Sequence, residues 1–331
     1  MLDYKKITGY IIAGVAGFAV LIAGIFGVYK LISENSKKSA EEAEQAEIQA
    51  QIEASTPEQI NIQLPLNQWL DGRADRDRIG VVIYDVDNDA IVGRHNEDQV
   101  FDMAQLYQLF VAYQAYIKIE RHDWKSSELV GSTNLTRALC LDYTLRWSDV
   151  ACSDAIWDSI GRDILQKEFQ DMGYEKTTFA NFTSTPTEIS NLMRLYHNHP
   201  NFTEETWNMI QDSLLNQRDN QTFDKQDLRQ GLPSGFTSAK VYNKSGWYKT
   251  TAPAVEGNNP SNATIANGIM NLWHTYDDAA IVEFPEVVNN DGETKPARHY
   301  IFAVLTNETS PQEIVLLGRT VETFVKTADR Y

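Results

Sequence analysis

Between Val100 and Glu120 the apolar side chains Leu106, Leu109, Phe110, Tyr113 and Ile117 recur every three or four residues. That is the period of a helix with one buried face. Phe101 and Met103 precede it, so the helix enters a core at its first turn, where backbone N–H groups lack internal partners and can face a cleft. Similar spacings predict helices around Leu64, Leu66, Trp69 and Leu70, through Thr136–Met172, over Thr203–Gln217 and over Pro311–Thr327. One more spans Thr187–Tyr196; it opens on a threonine cap, Pro186 and Glu188. Strand-like runs lie at Arg78–Tyr84 and Ala90–Arg94, joined by the Asp- and Asn-rich turn Asp85–Asp89. Three more follow at Lys240–Tyr248, Asp277–Phe284 and His299–Thr306, the last two joined across Asn289–Lys295. The first and last parts of the chain therefore form one sheet, with helical material between them.

Ahead of this pattern, Ile7–Tyr29 carries no charged residue and is long enough to cross a hydrocarbon core as a helix. The run exceeds the apolar part of a cleaved signal peptide and no A-x-A site follows, so it reads as an uncleaved anchor. Lys37 and Lys38 balance Lys5 and Lys6, so charge alone does not orient it. Residues 33–60 are rich in Ala, Glu, Gln and Ser and cannot bury a core; they read as a stalk, partly helical and broken near Pro57. The chain thus divides into an anchor (1–32), a stalk (33–60) and a globular domain (61–331).

Composition changes this picture in two ways. A formal net charge of −17 argues against nucleic acid as a partner. The two cysteines, Cys140 and Cys152, exclude a disulfide-rich scaffold and permit one bridge, the other reading being two buried thiols. His197 and His199 have no cysteine or acidic partner at ligand spacing. Nothing in the sequence calls for a metal or another cofactor.

Three short motifs follow one another along the domain. Gln105 and Gln108 stand one turn apart at the start of the 100–120 helix. Ser148-Asp149-Val150 lies inside the helical region, followed by Cys152, Ala155, Ile156 and Gly161. Lys244-Ser245-Gly246 lies on a strand. In this order, and across Asn61–Tyr331, the chain resembles the class A β-lactamase and penicillin-binding serine hydrolase family. The resemblance implies an α+β sandwich: an antiparallel sheet flanked by helices, with an inserted helical subdomain. In that family the first motif is Ser-x-x-Lys, whose serine attacks an acyl carbonyl while the lysine helps take its proton. The second is Ser-Asp-Asn, which relays protons and holds the substrate amide. The third, Lys-Thr/Ser-Gly, supplies positive charge for a substrate carboxylate and lets the substrate backbone approach; the N–H that follows, here Trp247, is an oxyanion donor.

Ser148, Asp149, Lys244, Ser245 and Gly246 match these motifs, while Gln105, Gln108 and Val150 do not. The stretch Gly173–Pro186 is short, and Glu175 lacks the surroundings of the family's deacylating glutamate. A glutamine amide is neither an acyl nucleophile nor a base at neutral pH. The implied function is a membrane-anchored, extracytoplasmic pseudoenzyme that binds a peptidoglycan fragment or an envelope protein, with Ser148, Lys244, Ser245, Gly246 and Trp247 as ligand-binding positions and no catalytic residue. The alternatives are a hydrolase of β-lactams or D-Ala-D-Ala peptides acting through Ser148 and Lys244, and a cleft filled by its own side chains.

Overall fold

The computed structural model describes residues 57–215, 230–254, 260, 262–266 and 268–329. The anchor expected at Ile7–Tyr29 and the stalk up to residue 56 lie outside them; among the described residues no helix is long and apolar enough to cross a membrane. Helix α1 (Gln63–Leu70) buries Leu66, Trp69 and Leu70. It is followed by a hairpin of β1 (Ile79–Asp85), buried along its whole length, and β2 (Ala90–His95). β2 lies at one edge of the sheet, where unpaired backbone groups invite association. The Gln63 carboxamide pairs with this edge, accepting from Arg94 N at 2.9 Å and donating to Arg94 O at 3.1 Å.

A two-residue strand β3 (Phe101–Asp102) and a 3-10 turn (Ala104–Leu106) lead into α2 (Tyr107–Glu120). The helix begins later than the apolar spacing from Val100 indicates, because Phe101 pairs with Ser184 of β4 (Thr183–Ser184) and Ala104 takes a left-handed φ of 37°. Every residue from Tyr107 to Ile117 is buried, so α2 is the central helix of the domain rather than a one-faced surface helix. Around it pack α3 (Arg137–Trp147), α4 (Val150–Ile160), α5 (Arg162–Asp171), α6 (Pro186–Asn198) and α7 (Glu204–Leu215). α6 starts as its residues dictate: Thr185 accepts from Glu188 N, and Pro186 fills the first turn.

The chain then returns to the sheet. A short helix α8 (Leu232–Gly235) precedes β5 (Lys240–Pro253), and β6 (Ala263–Ala266), β7 (Ile269–Phe284), the small hairpin β8 (Val287–Val288) with β9 (Thr294–Lys295), β10 (Arg298–Thr306) and α9 (Pro311–Asp329) follow. The main sheet is antiparallel in the order β2-β1-β10-β7-β5, with β6 on β7. Because side chains alternate across a strand, the sheet feeds two cores. Ala279, Ile281, Ile301 and Ala303 face the helices around α2. Ala280, Val282, Phe302 and Val304 face Leu317, Val321 and Val325 of α9. A buried ion pair, Arg298 to Asp329 at 2.6 and 2.7 Å, with Arg298 also donating to Glu58 O at 2.6 Å, ties the entry of the domain to its last helix.

Candidate functional site

The site forms where the turn before α2 lies against β5. On β5 the alternation of the strand places Lys244 and Gly246 on the same face. A Cβ at Gly246 would stand 2.7 Å from Gln105 N and 3.0 Å from Leu106 N, so only glycine allows this backbone approach. The strained φ at Ala104 sets the direction of the turn, and Gln105 folds back onto the strand: its Oε1 accepts from Trp247 N–H at 2.6 Å. Gln108, one turn on, points inward instead. It is fully buried and donates to Ser153 Oγ at 3.1 Å, beside Tyr107 Oη at 3.0 Å from the same oxygen. Gln108 Oε1 is buried and has no hydrogen-bond partner.

Ser148 ends α3 in a left-handed conformation, φ 51°. Asp149 caps α4 by accepting from Cys152 N at 2.8 Å, and a disulfide between Cys140 and Cys152 joins α3 to α4 across this loop. Lys244, buried completely, reaches across to the loop: its Nζ lies 2.5 Å from Ser148 Oγ and 2.7 Å from Ser245 O. Removal from water draws the Lys244 pKa down to about 7, with the Asp278 charge opposing the shift. Asp277, opposite Gly246 on the neighbouring strand, is also fully buried. It accepts from Thr306 N at 2.8 Å through Oδ1, and its Oδ2 has no partner. Burial pushes its carboxyl well above the usual carboxylate range, with the Thr306 N–H opposing the shift.

Above these groups opens a cleft of about 500 Å³. Gln105 and Ala104 form part of its floor, Tyr107 and Phe182 one aromatic wall, and Trp247, Tyr248 and His274 the other. Asp102, Asp154 and Arg162 supply its charge, and Val150, 49% exposed, sits at its rim. Of the sequence-derived positions, Gln105, Val150 and Trp247 line the cleft. Ser148 and Lys244 meet each other and are not among its lining residues, and Ser245 is buried. Among the described residues, no lysine lines the cleft. Tyr107, Phe182, His274 and Asp277 were not singled out from the sequence; only Tyr107, next to Gln105 and Gln108, had a signal by position. A larger hollow of about 1070 Å³ beside α3 and α7 contains none of the motif residues. Among the described residues no cluster of His, Cys, Asp and Glu is arranged to hold a metal ion. His199 stacks on Trp207 at 5.2 Å.

Residues 65–322 match the model of the β-lactamase enzyme family. The fold is similar to that of PBP-A, at 15% identity over 82% of this chain and 98% of that one, with a TM-score of 0.59. It is also similar to a class A β-lactamase from Bacteroides cellulosilyticus, at 15% identity over 81% and 100% of the two chains, TM-score 0.58. A β-lactamase from Chitinophaga pinensis aligns at 14% identity over 81% and 99%, TM-score 0.57. No curated protein sequence matches the chain.

Proposed function

Because the chain belongs to the β-lactamase enzyme family, we propose that it is a non-acylating member: a membrane-anchored, extracytoplasmic domain whose cleft binds a peptidoglycan-derived ligand without turning it over. The observation that carries this reading is the 2.6 Å contact between Gln105 Oε1 and Trp247 N–H. Acyl transfer needs an ionisable hydroxyl, a base and donors for the oxyanion. At position 105 a carboxamide replaces the hydroxyl and also engages one of the donors. At position 108 a neutral amide replaces the base and is turned toward Ser153.

The location rests on the uncharged run Ile7–Tyr29, the polar stalk behind it and the Cys140–Cys152 bridge, which suits an oxidising compartment. The aromatic walls of the cleft give apolar contact to sugar or peptide groups while its few charges orient them. An envelope protein is the other class of partner. Titration calorimetry with a soluble muropeptide is expected to show saturable binding with no slow heat of turnover. Turnover, or an absence of binding to both muropeptide and intact sacculi, contradicts the reading.

A further inference from the structure

The contact between Lys244 and Ser148 has no part in that reading. Lys244 Nζ reaches Ser148 Oγ at 2.5 Å and Ser245 O at 2.7 Å, and neither acceptor is a carboxylate. With its pKa near 7, the side chain is a free amine in a large share of molecules at neutral pH. In those molecules the contact reverses, and the Ser148 O–H donates to Nζ. An uncharged amine at hydrogen-bond distance from a hydroxyl is the arrangement that activates a serine. The serine is fixed for this role by its left-handed backbone, by the Asp149 cap that follows and by the disulfide that closes the loop. It is half-buried, whereas its base is wholly enclosed.

We propose that Ser148 is a base-activated nucleophile, independent of position 105, that takes electrophiles carrying a good leaving group on tetrahedral sulfur or phosphorus. With a sulfonyl fluoride, Ser148 Oγ attacks sulfur and the O–S bond forms. The S–F bond breaks, fluoride leaves with the electron pair, and the hydroxyl proton passes to Lys244 Nζ. Such electrophiles are activated by their own leaving group. A β-lactam carbonyl instead relies on paired oxyanion donors, one of which Gln105 engages here.

The test uses the full-length protein in detergent at pH 7.5, treated with phenylmethylsulfonyl fluoride and mapped by peptide mass spectrometry. One sulfonyl group is expected on Ser148, none in Ser148→Ala, and an undiminished rate in Ser159→Ala, whose serine lies exposed on the outer side of α4. Lys244→Arg keeps the cation and the donors but cannot accept a proton, and is expected to slow labelling on the order of 100-fold. An unlabelled wild-type protein, a label confined to another serine, or a Lys244→Arg protein that reacts at the wild-type rate overturns the proposal. The wild-type mapping decides the matter even if that variant fails to fold, and none of these results bears on ligand binding in the cleft.

Discussion

Gly246→Ala probes the approach of the turn to β5 on which the site depends. The added methyl would lie 2.7 Å from Gln105 N, 3.0 Å from Leu106 N and 3.1 Å from the Ala104 side chain. The two nearest neighbours are backbone atoms of a turn already held at a left-handed φ, so neither can yield by changing rotamer. Reaching ordinary contact at 3.4 Å requires the turn to lift by 3.4 − 2.7, roughly 0.7 Å, unless β5 bends. Overpacking of this kind costs about 1–3 kcal/mol. The lifted turn also breaks the Gln105–Trp247 hydrogen bond, whose net contribution is about 1 kcal/mol. The expected loss is therefore about 2–4 kcal/mol, read as a lower midpoint in urea with an unchanged slope. Gly93→Ala is the control, because the nearest atoms its methyl would meet belong to the Ile83 and Leu66 side chains, at 3.3 and 3.4 Å, and it is expected to cost less than about 1 kcal/mol. Equal midpoints for Gly246→Ala and wild type would refute the reasoning.

Three further outcomes follow from the buried groups and the altered motif. Lys244 has a folded-state pKa lowered to about 7 from 10.5, so between those values the unfolded chain binds the extra proton and stability rises with pH. The stability of wild type relative to Lys244→Met should accordingly increase by roughly 2 kcal/mol between pH 7 and pH 9, and a difference that stays flat in urea titrations contradicts the burial of the amine. Asp277 has the opposite linkage: its raised pKa costs stability as pH climbs above the unfolded value of 3.8, so Asp277→Asn should gain on wild type as pH rises from there, with the Thr306 contact kept. A gain that does not grow with pH would count against a raised pKa at this position. Gln105→Ser combined with Gln108→Lys should acylate slowly with a fluorescent penicillin while either change alone gives little, because nucleophile and base act as one unit; equal labelling by one single variant would show that they do not.

The fold was legible wherever burial leaves a periodic trace. Ile79–Asp85 is an unbroken buried strand, and the Thr185-Pro186 start of α6 carries its own cap. β5 and β7 run on past Tyr248 and ahead of Asp277 without such a trace. Their outer ends, Thr250–Pro253 and Ile269–Asn271, pair as a ribbon with no buried residue to pattern the sequence. The motif positions were legible because their spacing survives in the chain. The direction in which each side chain turns was not. Spacing places Lys244 on the cleft strand, yet its amine turns to Ser148 out of solvent. Spacing likewise cannot show that Gln105 reaches back to a backbone donor 142 residues away. Phe182 and His274 come to the cleft from a loop and from the neighbouring strand β7, a convergence made by tertiary packing alone.

The central claim, that the cleft does not acylate, is tested most directly by the intact mass of the unaltered protein after long incubation with benzylpenicillin. A single species at the starting mass is expected at every time point. A population heavier by one penicilloyl group, stable to denaturation, would contradict it.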